Sequence, residues 1–224
     1  MRKRIMIKNY MIFGDSYSTY LGYVPEGYSC YYSPQGAPDR PVKKMKAEET
    51  WWKRLEMLDN DAVLVRNDSW SGSTVSHTGW LGDTSKISSF IYRFRTLKNQ
   101  GFFQNNQIDT VFIFGATNDS WVPSPLGEMK FSDWQEEDLF SVKPAICYLL
   151  SSLRKELPSA KIVFIINTDI NEEIVNCIKT ATERYNAYSV ELSNISKNYG
   201  HPNILGMQQI SEQVYNFLKS NVYQ

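Results

Sequence analysis

Two continuous apolar runs constrain this chain most: Val111-Phe-Ile-Phe114 within Thr110–Phe114, and Ile162-Val-Phe-Ile-Ile166 within Lys161–Ile166. A strand with one wet face alternates apolar and polar residues. A strand apolar at every position is covered on both faces, as in parallel sheets packed between helices. Shorter candidates at 10–13 and 62–65, with a weaker one at 188–192, bring the set to five. Between them lie segments with apolar residues at helical spacing. Residues 48–58 put Trp51, Leu55 and Leu58 on one face, and 87–98 repeat Ile87, Phe90, Ile91, Phe94 and Leu97. Segments 139–153 and 172–185 follow, and 204–218 carries Met207, Ile210, Val214, Phe217 and Leu218. The alternation predicts an α/β chain, a parallel sheet with helices on both sides.

Two long stretches interrupt the pattern. Residues 20–42 are rich in Tyr, Pro and Gly, and 121–134 hold Pro123, Pro125 and Gly127. Irregular segments of this length inside a domain are usually functional or disordered. Their aromatic residues argue against disorder. Both follow a strand's carboxyl end, so both are expected to overhang one cleft and shape a substrate site.

The 224 residues suit one domain spanning 1–224, with no internal repeat and no linker. Lys plus Arg equals Asp plus Glu, 24 against 24, and no basic run suggests nucleic acid. Cys30, Cys147 and Cys177 are widely spaced, so neither a disulfide framework nor a zinc site is expected, and Cys147 and Cys177 read as buried thiols. No His, Cys, Asp or Glu cluster has metal-ligand spacing, so no metal and no cofactor are expected. The basic start, residues 1–8, lacks the apolar core of a signal peptide, and no apolar run spans a bilayer. A cytoplasmic location is expected for the chain as given, although a chain that had lost a leader would read the same. Oligomeric state is not legible.

The chemistry lies in four elements, each where a strand ends or a helix begins: Gly14-Asp15-Ser16, Asn67-Asp68-Ser69-Trp70-Ser71-Gly72-Ser73, Gly115-Ala116-Thr117-Asn118-Asp119, and Gly200-His201-Pro202-Asn203. Open α/β sheets assemble their sites there. Ser16 is a candidate nucleophile, but a serine hydroxyl needs a base. There are two histidines. His77 lies among polar residues and reads as a surface or supporting residue. His201 precedes Pro202, which biases it away from helix, and Asn203 can cap the last helix. His201 is therefore the expected base. Asp15 and Asp68 read as hydrogen-bonding partners for nearby backbone.

These four elements, in this order, resemble the SGNH hydrolases, the GDSL-type lipases, esterases and acylhydrolases. The resemblance runs from Gly14 to the last helix, and the family letters fall on Ser16, Gly72, Asn118 and His201. It implies a three-layer α/β/α sandwich around a flavodoxin-like sheet of five parallel strands. It also implies an oxyanion hole made of the Ser16 and Gly72 N–H groups and the Asn118 amide. One position departs from the pattern. The family carries an aspartate three residues before the histidine, and here that residue is Asn198. A main-chain carbonyl, the Asn198 amide oxygen or a distant carboxylate could orient His201 instead, or activity could be impaired.

The expected function is an esterase that cleaves small O-acyl esters through an acyl-enzyme on Ser16. Its expected substrate is a small molecule or glycan, as in a carbohydrate deacetylase. Tyr17, Trp70, Trp80 and Trp121 are candidates to supply flat ring faces for sugar. The same aromatics could line an acyl-chain pocket, as in a lipase or lysophospholipase. A carbohydrate-binding relative without turnover is the alternative from another class.

Overall fold

The computed structural model describes residues 7–36 and 44–223. Most of the basic start, and the end of the 20–42 stretch, lie outside the described residues. In chain order the strands are β1 (Asn9–Gly14), β2 (Val63–Ser69), β3 (Thr78–Gly79), β4 (Gly82–Asp83), β5 (Thr110–Phe114), β6 (Lys161–Ile166), β7 (Tyr188–Glu191), β8 (Lys197–Asn198) and β9 (His201–Pro202). Five of them form one sheet in the order β2-β1-β5-β6-β7, each neighbouring pair parallel. The pairs β3–β4 and β8–β9 are small antiparallel ribbons.

The helices are α1 (Trp51–Leu58), α2 (Phe90–Asn99), α3 (Phe102–Asn105), α4 (Thr117–Trp121), α5 (Val142–Glu156), α6 (Glu172–Arg184) and α7 (Ile204–Asn221). The two apolar runs are covered on both faces, as their composition predicts. Val111, Ile113, Ile162 and Phe164 share a core with the apolar residues of α2, α5 and α6. Their neighbours Phe112, Phe114, Val163 and Ile165 point the other way, into a core with α1 and α7. The result is three layers, α/β/α, with the five strands in the doubly wound order expected. Cys147 and Cys177 are buried and unbridged. Among the described residues no helix is long and apolar enough to cross a membrane.

The boundaries that differ do so where polar side chains find partners. The apolar pattern of β2 stops at Val65, yet the strand runs on through Ser69. Its polar half is satisfied internally: Asn67 Nδ2 donates to the Ser18 carbonyl at 2.8 Å, and Ser69 Oγ donates to Asn67 Oδ1 at 2.6 Å. Buried polar groups persist when so paired. Helix α2 starts at Phe90 rather than Ile87, because the Ser89 side chain caps it by accepting from the Tyr92 N–H at 3.1 Å.

Candidate active site

The chain passes from β1 to β2 on one side of the sheet and returns to β5 on the other. Strand order therefore reverses at β1, and a crevice opens at the carboxyl ends of these strands. Ser16 follows β1, Gly72 follows β2, Asn118 lies in α4 just after β5, and His201 arrives from the β8–β9 ribbon ahead of α7.

Ser16 opens a tight 3-10 turn, Ser16–Ser18. Asp15 caps that turn, its Oδ1 accepting from the Tyr17 N–H at 3.0 Å, as expected from sequence. The Asp15 N–H in turn donates to the Phe114 carbonyl at 3.1 Å, which ties the turn to β5. Asp15 is fully buried. Burial pushes its carboxyl up to about 7, against the opposing pull of the Tyr17 N–H. The approach is close enough to require glycine before it: a Cβ on Gly14 would sit 2.3 Å from Ser69 Oγ and 2.7 Å from Ser18 Cβ.

His201 Nε2 lies 2.9 Å from Ser16 Oγ. Its Nδ1 lies 3.3 Å from the Tyr199 carbonyl oxygen. In the tautomer that satisfies both contacts, Nδ1–H donates to the carbonyl and Nε2 accepts from the hydroxyl. Left-handed backbone at Tyr199 and Gly200 folds the chain back at this point. Two tyrosines hold the loop through carbonyls on either side of the histidine: Tyr17 OH donates to Gly200 O, and Tyr32 OH donates to Pro202 O at 2.8 Å. The imidazole stacks face to face on Tyr31, with centroids 3.8 Å apart and planes 7° from parallel. Asn198 points elsewhere: its Oδ1 accepts from Asn203 Nδ2 at 3.4 Å, while Asn203 Oδ1 caps α7 by accepting from the Gly206 N–H. Of the orienting groups left open by the sequence, the geometry presents a main-chain carbonyl.

On the opposite side, Gly72 has φ +82°, where glycine is at home and other residues are strained. Asn118 is buried and held at both ends. Its Oδ1 accepts from Trp80 Nε1 at 3.1 Å, and its Nδ2 donates to the Ser73 carbonyl at 3.0 Å. The Trp80 contact fixes which end of the amide is nitrogen, and an amide has two N–H donors, so one remains. Among the described residues, no hydrogen bond uses the N–H of Ser16 or Gly72. Two buried charged residues support this side. Asp119 accepts from the Val75 and Ser76 N–H groups at 2.8 and 2.9 Å. Arg93 donates to the Gly14 carbonyl, the Asp68 carbonyl and Ser73 Oγ, so it ties β1, β2 and the Gly72 loop together.

A cleft of about 400 Å³ lies over these groups, bordered by Ser16, Gly72, Asn118 and His201 and walled by Trp80 and Trp121. Trp121 is where sequence reasoning put it. Tyr17 is not a substrate-facing residue: it is fully buried, edge-on to Phe114, with its hydroxyl spent on Gly200. Trp70 packs its ring on Tyr28, 4.3 Å between centroids. Beyond Trp121, the 121–134 stretch turns away, and Leu126, Met129, Phe131 and Trp134 pack on the core. Two further expectations need correction. Of the two readings left open for His77 the surface one fails: the residue is fully buried, with Nδ1 2.9 Å from Ser89 Oγ, and burial pushes its pKa down. Asp68 pairs with Arg93 and Arg66 rather than with the Gly72 loop.

Sequence reasoning missed Tyr31, Tyr32 and Arg93 as parts of the site. The two tyrosines stand in a stretch with five, and nothing in their spacing says which one meets the histidine. Arg93 did leave a signal, lying three residues after Phe90 and four before Leu97 on the apolar face of its helix. Among the described residues, no group of three His, Cys, Asp or Glu side chains is placed to hold a metal ion.

A family model described as GDSL-like lipase/acylhydrolase matches residues 8–218. Two crystal structures classed as GDSL-like lipases are similar over nearly their whole length. The one from Bacteroides ovatus ATCC 8483 is 36% identical with a TM-score of 0.85, over 96% of this chain and 99% of that one. The one from Bacteroides uniformis ATCC 8492 is 38% identical with a TM-score of 0.85, over 95% and 96%. An acetyl xylan esterase from the rumen bacterium Butyrivibrio proteoclasticus shares the fold at 18% identity and a TM-score of 0.60, over 97% of this chain and 65% of that one. No curated protein sequence matches.

Proposed function

The chain belongs to the GDSL-like lipase/acylhydrolase family of the SGNH superfamily and is a hydrolase of ester bonds; on that premise we propose a serine esterase that removes small acyl groups from carbohydrate hydroxyls. The observation that carries the mechanism is the 2.9 Å contact between His201 Nε2 and Ser16 Oγ at the base of the cleft. Ser16 Oγ attacks the ester carbonyl while its proton passes to Nε2. The carbonyl oxygen becomes an oxyanion and receives the N–H groups of Ser16 and Gly72 and the remaining N–H of Asn118. Each such donor, fixed in advance in a water-poor site, is worth roughly 3–4 kcal/mol of barrier. The imidazolium returns its proton to the departing alcohol, leaving an acyl-Ser16. Water then gives a proton to His201 and attacks the acyl carbon, and as the bond to Ser16 Oγ breaks the imidazolium returns that proton to Oγ and the acid is released. Throughout, the Tyr199 carbonyl accepts from Nδ1–H and keeps Nε2 facing the serine.

The sugar preference rests on Trp80 and Trp121, which keep 55% and 41% of their surface exposed beside Ser16. Exposed indole faces suit the apolar face of a pyranose ring. The acetyl xylan esterase that shares this fold acts on an ester of the same kind. The test is hydrolysis of p-nitrophenyl acetate by wild type, Ser16→Ala and His201→Ala. Both variants are expected to lose at least about a thousandfold in kcat, and wild-type rates in either would overturn the mechanism. A p-nitrophenyl series of rising chain length, beside acetate release from acetylated xylan, tests the substrate. A preference for long chains would move the reading to a lipase.

A further inference from the structure

An aspartate in a serine hydrolase does two things for its histidine. It holds the ring, and it stabilises the positive charge that arrives with the serine's proton. The Tyr199 carbonyl at 3.3 Å is neutral and does only part of this. The ring also has three aromatic neighbours. Tyr17 is tilted at 54° and 5.3 Å, and Trp121 is edge-on at 6.2 Å. Tyr31 alone of these three presents its face, at 3.8 Å and 7°.

That stacking has a chemical meaning. A parallel stack holds two neutral rings when they are offset, by dispersion and a weak quadrupole term. A cation over an aromatic face is attracted. The geometry therefore suits the imidazolium better than the imidazole, which is the preference a catalytic base needs at the moment of proton transfer. Tyr31 is also built in. It is 7% exposed, and its N–H donates at 2.9 Å to Thr19 Oγ1, which itself donates at 3.0 Å to the Ser16 carbonyl. Its neighbour Tyr32 grips the histidine loop at Pro202. One dipeptide thus supports the imidazole with the Tyr31 ring and its loop with the Tyr32 hydroxyl, and is hydrogen-bonded through Thr19 to the turn that carries the serine.

Resting on the assignment of Ser16 and His201 above, we propose that Tyr31 is a positioning residue that holds His201 and stabilises its imidazolium, a task the family gives to the residue at position 198. When the Ser16 proton reaches Nε2, the positive charge spreads over the ring, toward Nδ1–H and the Tyr199 carbonyl and against the face of Tyr31. When the proton leaves with the alcohol, the charge goes with it.

The test compares Tyr31→Leu, which keeps bulk and removes the aromatic face, with Tyr31→Phe, which keeps the face and removes the hydroxyl. On p-nitrophenyl acetate, Tyr31→Leu is expected to lower kcat about tenfold with KM changed by less than about twofold. Tyr31→Phe is expected to stay within about twofold of wild type. A series of phenylalanines bearing successively more ring fluorines at position 31 keeps the shape and drains the face of charge. In that series kcat is expected to fall stepwise, and this readout stands even if Tyr31→Leu does not fold. Wild-type kcat in Tyr31→Leu, equal losses in Leu and Phe, a loss in KM alone, or a flat fluorine series would each overturn the role of Tyr31. If Ser16→Ala or His201→Ala keeps wild-type hydrolysis, the underlying mechanism fails instead. If both are inactive while Tyr31→Leu matches wild type, the mechanism stands and only the inference about Tyr31 is lost.

Discussion

At position 198 an asparagine stands where the family pattern has an acid, and its surroundings say what an acid there would do. The Asn198 side chain reaches Asn203 at the cap of α7, while His201 Nδ1 faces the Tyr199 carbonyl. An aspartate would strengthen the contact with Asn203. We therefore expect Asn198→Asp to leave kcat within about threefold of wild type, under 1 kcal/mol of barrier. A tenfold gain in steady-state kcat would show that the carboxylate reaches the imidazole. Asp15 poses the opposite case, an acid whose charge the fold disfavours. Its carboxyl is raised from the ordinary value of 3.8 to about 7 by burial. The folded protein therefore holds a proton there that the unfolded chain releases above about pH 4. The stabilisation from that proton is full below about pH 4, declines as pH rises, and is gone above about pH 7. Asp15→Asn removes the titration while keeping an acceptor for the Tyr17 N–H. Between pH 5 and pH 8, wild type is expected to lose roughly 3 kcal/mol of unfolding free energy relative to the variant. Urea unfolding at the two pH values measures this, and parallel behaviour would mean that Asp15 is ionised throughout.

Helix α2 carries more of the site than its distance from Ser16 in sequence suggests. Arg93 projects from its buried face with its guanidinium over the Phe90 ring, 4.4 Å from the centroid. It reaches Ser88, Asp68, Gly14 and Ser73, which are otherwise separate pieces of chain. Burial works against its charge, and Asp68 offsets that. A buried ion pair broken on one side leaves an uncompensated charge. Arg93→Met, which keeps the apolar stem, is expected to destabilise by about 3–5 kcal/mol and to lower kcat by loosening the Gly72 loop. Urea unfolding and p-nitrophenyl acetate kinetics read the two effects, and an unchanged midpoint would mean that Arg66 alone satisfies Asp68. The tyrosine-bearing stretch acts as an element in the same way. Ser29 accepts from the Ser71 N–H, Tyr31 stacks on His201 and Tyr32 holds Pro202, so one stretch after β1 touches both sides of the cleft.

At the scale of the whole molecule, doubly wound order does the assembling. Placing β1 between β2 and β5 brings residues 16, 72 and 118 together at one edge, and α7 packing beside α1 delivers residue 201 to the same place. Much of this was legible in the chain. The apolar runs of β5 and β6 carried their own burial on two faces, so the layers followed from composition and periodicity alone. The four segments holding Ser16, Gly72, Asn118 and His201 each stood at a junction between regular elements, where an open α/β sheet gathers its site, while the choice of Gly72 and Asn118 within their segments came from the family resemblance. Local chemistry, such as the Asp15 turn cap and the Asn203 helix cap, was also readable, because both partners lie within three residues. Contacts between residues far apart in the chain were not. The stack of Tyr31 on His201, the reach of Arg93 to Gly14 and the hold of Trp80 on Asn118 join residues 170, 79 and 38 positions apart. Periodicity and capping record what a residue does to its neighbours within a few positions. Which tyrosine meets the imidazole depends on how separate loops close over the sheet, and that closure is set by packing among side chains the sequence does not place side by side.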